Sequence, residues 1–213
     1  MNRDYPARPS RRQGRGERFH EGHERRPEGP TFRLFIAVEI PPEVTRRLAG
    51  WQQEYLAGDR ALRLTPEEQL HITLVFLGHM REKELGLASE QMDELDGESP
   101  PDSFDVTAGG VVGLPRRGAP RVIAATIEEP AGILRQIHDR LVAGLVEKQL
   151  YKREKRPFFP HVTIARVRGR TQLDLEVIHP DPVKFTAVRI TLYNSILKSS
   201  GVVHKALKTV QLN

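Results

Sequence analysis

Two short stretches of the chain, LHITL at residues 70–74 and PHVTI at residues 160–164, repeat one pattern of histidine, aliphatic residue, threonine and aliphatic residue. Polar and aliphatic positions alternate in both, which is typical of a β-strand with one buried and one accessible face. Histidine and threonine therefore share a face. One His-x-Thr segment alone has no predictive value, but two matched copies, with His71 and His161 90 residues apart, predict a paired site.

The elements around these stretches alternate between strands and helices, but without the regular rhythm of a parallel βαβ sheet. We predict an α+β fold with mostly antiparallel sheets. Gly78 is predicted to end its strand, and Gly109-Gly110 to form a bulge. The predicted strands span residues 32–40, 70–77, 104–114, 122–127, 161–167, 185–196 and 202–212, and the predicted helices span residues 41–57, 82–95 and 130–150.

Composition narrows the class of protein. The 213 residues include 33 basic and 28 acidic side chains, for a formal charge of +5, and 38% of them are hydrophobic. The lack of cysteine excludes a disulfide scaffold, thiolate-bound zinc, cysteine-held Fe–S clusters and a cysteine nucleophile. No apolar run approaches the roughly 18–20 residues that a membrane-spanning helix needs, and the N-terminal region lacks the apolar core of a secretory signal. We therefore expect a soluble, cytoplasmic protein.

The two histidines fit acid–base chemistry on a phosphodiester. Cleavage of a cyclic phosphate needs a base for the attacking water and an acid for the departing ribose oxygen, and an imidazole performs either role near neutral pH. Hydroxyls of Thr73 and Thr163 could donate to the phosphate oxygens. Arg166 could add positive charge, but its odd spacing from His161 places it on the opposite strand face unless the strand bulges or ends first. A metal site built on the same histidines is an alternative, although no third ligand stands at suitable spacing.

The stretches RLFIAVEIP (residues 33–41), LHITLVFLG (70–78) and PHVTIARV (160–167) resemble the two-histidine phosphoesterases, and within them the RNA 2′,3′-cyclic phosphodiesterase and 2′,5′ RNA ligase family. The resemblance extends from about Phe32 to the C-terminus. It implies a bilobal α+β fold with helices outside, in which two related lobes form a V-shaped cleft and each provides one His-x-Thr. It also implies hydrolysis of RNA 2′,3′-cyclic phosphate ends to 2′-phosphates, and ATP-independent 2′,5′ joining in the same site.

The resemblance also implies roles for single residues. His71 corresponds to the proton donor and His161 to the proton acceptor, while Thr73, Thr163 and Arg166 correspond to phosphate-binding positions. No cofactor and no metal are expected.

For other positions the sequence leaves alternatives open. Phe35 and Phe159 could contact a base, but aromatic residues in strands more often belong to the core. The basic run at residues 152–156 could steer RNA or be a solvated loop. Near the C-terminus, His204 stands where the family often has tyrosine.

Residues 1–30 contain eight arginines and five acidic residues, and we predict a disordered tail that either holds RNA weakly or only aids solubility. Residues 31–213 are expected to form one bilobal domain. The expected partners are RNA ends or small cyclic nucleotides, without a membrane, and the expected state is a monomer. Besides hydrolysis, two functions remain open: 2′,5′ joining of RNA ends, and RNA binding without catalysis.

Overall fold

The structure is a computed structural model, and it describes residues 29–97, 100–169, 174–199 and 201–213. The predicted Arg-rich tail lies outside the described residues as far as residue 28. Nine β-strands and three α-helices occur within the described ranges: β1 (Thr31–Glu39), α1 (Pro42–Trp51), β2 (Leu62–Leu64), β3 (His71–Arg81), α2 (Glu82–Asp96), β4 (Phe104–Leu114), β5 (Val122–Glu128), α3 (Ile133–Glu147), β6 (His161–Val167), β7 (Val183–Ala187), β8 (Arg189–Lys198) and β9 (Gly201–Gln211).

The strands form one curled antiparallel sheet in the order β7-β4-β5-β6-β3-β1-β8-β9, with β2 on the edge of β6. We call β7, β4, β5 and β6 the His161 half, and β3, β1, β8 and β9 the His71 half. Among the described residues the halves meet through the pair Ile72 and Val162, each the residue after a predicted catalytic histidine. The predicted α+β class with antiparallel pairing is confirmed, and the two matched stretches lie on neighbouring central strands.

The helices pack their apolar stripes on the sheet. In α3, Leu134, Ile137, Leu141 and Leu145 are almost completely buried, at the spacing that places them on one helix face. The predicted start of α3 at residue 130 is too early, because the Glu129 carboxylate accepts a hydrogen bond from the Leu134 backbone N–H at 3.0 Å and caps a helix that begins at Ile133. No helix in the described part of the chain is long and apolar enough to cross a membrane.

Glycines bend two strands without ending them. The prediction that Gly78 ends its strand is wrong, because β3 continues to Arg81. Leu34 is opposite Gly78 and Phe35 is opposite Phe76, so Leu77 is an extra residue that bulges out of the ladder. Gly78 takes a φ of +79°, which glycine adopts without steric cost. The predicted bulge at Gly109-Gly110 is confirmed by a shift in the pairing of β4 with β5.

The predicted strand over residues 185–196 is two strands in different halves of the sheet. Val188 separates β7, which pairs with β4, from β8, which pairs with β1. The Val188 carbonyl accepts hydrogen bonds from the Leu212 backbone N–H and the Gln211 side chain, both at 2.9 Å. These contacts hold the crossover between the halves. The short strand β2 was not predicted, because three residues are too few to show a period.

Candidate active site

His71 and His161 are the first residues of β3 and β6, and the two rings are held in the same way. The His71 Nδ1 lies 2.7 Å from the Gln69 carbonyl oxygen, and the His161 Nδ1 lies 2.8 Å from the Phe159 carbonyl oxygen. Because a carbonyl oxygen only accepts, each Nδ1 carries a hydrogen and donates it. The Nε2 atom of each ring is therefore the one left to exchange a proton with a ligand.

A bulge in β6 brings Arg166 to the same face as His161. Ala124 pairs with Thr163 and Ile123 with Ala165, which makes Ile164 an extra residue in the strand. Ile164 and Ala165 are consecutively buried and Arg166 is exposed, so the alternation shifts by one residue. The sequence required a bulge or a strand end for Arg166 to share a face with His161, and this bulge meets the requirement.

Buried polar contacts hold this bulge in place. The Ile164 carbonyl accepts hydrogen bonds from Gln52 Nε2 at 2.6 Å and from the Thr65 backbone N–H at 2.9 Å. Gln52 is almost fully buried in the turn that extends α1, and its Nε2 also donates to the Thr65 carbonyl at 2.7 Å. Gln52 is thus a positioning residue for Arg166, although no sequence pattern marks it.

The strand β3 has a bulge at the corresponding place. Ile36 pairs with Val75 and Ala37 with Thr73, so Leu74 is the extra residue. The position that corresponds to Arg166 is Phe76, which is 48% exposed. The guanidinium of Arg33 lies 5.2 Å from the centre of the Phe76 ring. Both halves therefore have a bulge one residue after the threonine. The exposed side chain that follows the bulge differs: it is Phe76 in β3 and Arg166 in β6.

The threonine hydroxyls are available to a ligand. Thr73 and Thr163 are partly exposed on the same strand faces as the histidines. Within the described ranges neither hydroxyl forms a hydrogen bond. Each can therefore donate to an oxygen atom of a bound group.

Aromatic rings surround His71. Phe35 stacks on His71 at 4.8 Å between ring centres and on Tyr193 at 5.1 Å. His204 meets His71 edge-on at 5.4 Å and Phe35 at 4.8 Å. Phe35 is only 3% exposed, because its ring is packed among His71, Tyr193 and His204. Its predicted contact with a base stays a prediction.

A cavity of about 470 Å³ opens beside these rings. Its walls combine the aromatic surfaces of Tyr193 and His204 with the carboxylates of Glu39, Glu67 and Glu68. Tyr193 donates a hydrogen bond to Glu39 Oε1 at 3.1 Å, and burial and the Glu39 charge raise the pKa of Tyr193 to about 12. Tyr193 therefore stays protonated, and this wall keeps its shape across the physiological pH range.

His161 has a more open setting than His71. The partly exposed ring of Phe159 stacks on His161 at 5.9 Å with an interplanar angle of 19°. The Arg116 guanidinium lies 4.6 Å from the centre of the same Phe159 ring. The basic run at residues 152–156, which precedes β6, is exposed throughout.

Burial favours the neutral form of the His71 and His204 imidazoles in the unliganded protein. Desolvation, opposed by the Gln69 hydrogen bond and reinforced by the charges of His204, His161 and Arg166, lowers the pKa of His71 to about 4. Burial, together with Arg33 and Arg166, also lowers the pKa of His204. His71 is therefore neutral near pH 7 before a ligand binds. A bound anion would favour its protonated form.

Sequence reasoning missed several members of this site. Their residue types gave no signal, because they come from distant positions and reach the surroundings of the histidines only after the sheet has formed. They are Arg33, Glu39, Gln52, Arg116 and Tyr193.

The site is arranged for proton transfer at an anionic group. Two imidazoles with free Nε2 atoms, two threonine hydroxyls and one guanidinium lie on adjoining strand faces, and this combination suits a tetrahedral phosphate. Among the described residues, no group of three or more His, Asp or Glu side chains is placed to hold a metal ion. The fold and the site together define a phosphoesterase-like protein with one histidine from each half of its sheet.

Comparison with known proteins identifies the family. The model of the 2′-5′ RNA ligase superfamily matches residues 38–196, and the chain belongs to this superfamily. A Thermus thermophilus protein named RNA 2′,3′-cyclic phosphodiesterase is 32% identical over 190 residues, which cover 85% of this chain and 90% of that protein. An Archaeoglobus fulgidus protein of the same name is 26% identical over 187 residues, covering 84% of this chain and 100% of the relative.

Solved structures agree with this assignment. The Thermus thermophilus protein TT0787 superposes with a TM-score of 0.72 at 28% identity and covers 84% of this chain and 97% of its own. E. coli LigT, crystallised with 3′-AMP, superposes with a TM-score of 0.73 at 23% identity and covers 86% and 99% of the two chains. The LigT match supports the fold, and the resemblance inferred from the sequence is confirmed.

Proposed function

We propose that this protein hydrolyses RNA 2′,3′-cyclic phosphate ends to 2′-phosphates by acid–base catalysis with His71 and His161. One observation carries the proposal: two imidazoles on neighbouring strands have their Nδ1 atoms bound to backbone carbonyls, which leaves both Nε2 atoms for the substrate. RNA binding without catalysis, the alternative left open by the sequence, would not need this arrangement. The curated relatives carry the name of the proposed activity.

The proposed reaction is an in-line displacement at phosphorus. His161 Nε2 takes a proton from water while the water oxygen forms a new bond to phosphorus. The bond from phosphorus to O3′ breaks, and His71 Nε2 donates a proton to O3′. Thr73, Thr163 and Arg166 bind the non-bridging oxygens, on which negative charge concentrates. The product is a 2′-phosphate beside a free 3′-hydroxyl.

The low pKa of His71 fits this role only if the substrate changes it. A general acid must be protonated when the substrate is in place, and the unliganded His71 has a pKa of about 4. The cyclic phosphate is an anion, and its negative charge beside His71 raises that pKa. Burial thus makes protonation of His71 depend on the presence of substrate.

The pH profile tests this dependence. We expect bell-shaped profiles, because activity needs one protonated and one neutral histidine. The acidic limb marks the pH below which both histidines are protonated and no base is left. In the free protein this second protonation is that of His71. For kcat/KM, which reports the free protein, the acidic limb should lie near pH 4. For kcat, which reports the substrate complex, it should lie at higher pH. An acidic limb at the same pH in both profiles would contradict the proposed effect of the phosphate on His71.

Chelation tests the metal independence of the proposed mechanism. Because both protons move through histidines, turnover of a cyclic-ended RNA should be the same with excess EDTA as without it. The matched control is an RNA ending in a linear 3′-phosphate, which should not react. Loss of turnover in EDTA that zinc or manganese restores would replace this mechanism with metal catalysis.

Joining of RNA ends in the same site is the second candidate function. If a 5′-hydroxyl replaces water as the nucleophile, the same two proton transfers produce a 2′,5′ phosphodiester without ATP. Membership of the superfamily and the exposed basic side chains beside His161 favour this candidate.

The monomeric state, the cytoplasmic location and the role of residues 1–30 stay predictions.

A further inference from the structure

The two sides of the cleft differ in charge and in openness. Beside His71, the phenyl ring of Phe35 is buried, and the cavity walls carry carboxylates. Beside His161, the ring of Phe159 is partly exposed and carries the guanidinium of Arg116. Glu39 on the first side is paired with Arg189 at 3.1 Å, whereas the second side has an excess of positive charge that attracts the phosphates of an RNA chain.

We define the basic rim as two exposed segments next to His161: the β4–β5 connection at residues 115–121 and the link at residues 151–156. Within the described residues, Arg156 is the one rim cation that forms an ion pair, at 3.7 Å from Glu154. The other cations have their charge available for a ligand. The cations of the rim are Arg116, Arg117, Arg121, Lys152, Arg153, Lys155 and Arg156.

The first segment of the rim is tied to the strand that carries His161. The Arg121 backbone N–H donates to the Leu114 carbonyl at 2.7 Å, and the Arg121 carbonyl accepts from the Val167 N–H at 2.9 Å. Val122, directly after this segment, pairs with Arg166. This segment of the rim therefore has a fixed position relative to the proposed phosphate site.

The chemistry assigns different ligands to the two sides. In an in-line displacement the attacking and leaving oxygens lie on opposite sides of phosphorus. If His71 protonates O3′, the ribose that carries the cyclic phosphate lies on the His71 side. The attacking oxygen then arrives on the His161 side, and anything attached to that oxygen extends toward the basic rim.

We propose that the basic rim binds a second RNA strand, whose 5′-hydroxyl attacks the cyclic phosphate. This inference rests on the proposed function. His161 takes the proton from the 5′-hydroxyl, the bond from O5′ to phosphorus forms, and the bond from phosphorus to O3′ breaks as His71 protonates O3′. One phosphate ester replaces another, so no nucleoside triphosphate is consumed. Water needs no such surface, but a nucleophile that carries phosphates does.

Phe159 and Arg116 form the part of the rim nearest to the reacting atoms. The Phe159 ring stacks on His161, and the Arg116 guanidinium lies over the same ring. Together the two side chains form a partly exposed platform for the first base of the incoming strand. Arg117 and the cations at residues 152–156 would bind the phosphates that follow.

A comparison of joining with hydrolysis tests the inference. The variant Arg116→Ala/Arg117→Ala is assayed for joining a cyclic-ended RNA to a 5′-hydroxyl RNA and for hydrolysis of the same cyclic-ended RNA. At low salt we expect the ratio of joining to hydrolysis to fall about tenfold or more, through a higher KM for the 5′-hydroxyl strand. The salt dependence of that KM should become shallower by about 0.7 per lost phosphate contact in a log–log plot.

Two further variants sharpen the test. Arg46→Ala/Arg47→Ala removes an equal charge from an exposed pair on α1 and should leave the ratio of joining to hydrolysis unchanged. Arg116→Lys keeps the charge but loses the planar group and should raise the KM of the 5′-hydroxyl strand by less than the double variant does.

The possible outcomes separate this inference from the proposed function. If the double variant loses hydrolysis and joining equally, the rim binds the cyclic-ended strand and the inference is wrong. It is also wrong if the ratio does not change, or if the wild-type protein hydrolyses but never joins at saturating 5′-hydroxyl RNA. Absence of both reactions in the wild-type protein would instead refute the proposed function.

Discussion

Replacement of His71 or His161 by alanine is expected to lower kcat about 10²–10⁴-fold on a cyclic-ended RNA. Each variant loses one of the two proton transfers and keeps the other groups that bind phosphate. KM should change less than kcat, because Thr73, Thr163 and Arg166 still bind the phosphate in both variants.

The control for these variants is His79→Ala. His79 lies on the same strand as His71, its side chain is exposed, and it is opposite Arg33 in the β1–β3 ladder, whose backbone pairing alanine keeps. This variant should keep wild-type turnover, and thermal unfolding should show that the two catalytic variants are also folded at the assay temperature. Near-wild-type turnover of His71→Ala or His161→Ala would remove that residue from the mechanism.

The second large effect is expected at the threonines. Thr73→Ala or Thr163→Ala should lower kcat about 10–10³-fold, because each removes one hydrogen-bond donor aimed at the phosphate. Serine at the same position keeps the hydroxyl and should restore most of the activity.

Kinetic comparison of alanine and serine variants distinguishes binding from packing. Thr186→Ala is a suitable control, since Thr186 is exposed on β7 and donates to the Asp105 carboxylate far along the sheet. If serine were as inactive as alanine, the methyl group rather than the hydroxyl would be the part of the side chain that matters.

The sequence predicted that the histidine and threonine of each segment share a strand face, because alternation along a strand is a local property. His71, Thr73, His161 and Thr163 each follow from their neighbours in the chain, and the structure places all four on adjoining strand faces. The α+β class followed in the same way from the order of short periodic segments.

Other features could not be predicted, since they depend on residues that are distant in sequence. The bulge at Ile164, which turns Arg166 to the histidine face, is visible only in the pairing with β5 and in the contact with Gln52. The break at Val188 is held by hydrogen bonds from Gln211 and Leu212, which are distant in sequence. Local periodicity carries no information about these long-range contacts.

The low pKa of His71 also arises from the assembled structure. It reflects burial against Phe35 and the nearby positive groups of His204, His161 and Arg166, which the sheet brings together. The sequence identified two histidines but not their unequal environments.

The most direct test of the proposed mechanism is the identity of the product. The pure protein is incubated with a short RNA that ends in a 2′,3′-cyclic phosphate, and the terminal monophosphate is identified by chromatography against 2′- and 3′-phosphate standards. Protonation of O3′ by His71 predicts the 2′-phosphate as the only hydrolysis product. Formation of the 3′-phosphate, or of both isomers in equal amounts, would contradict the proposed orientation of the substrate between His71 and His161.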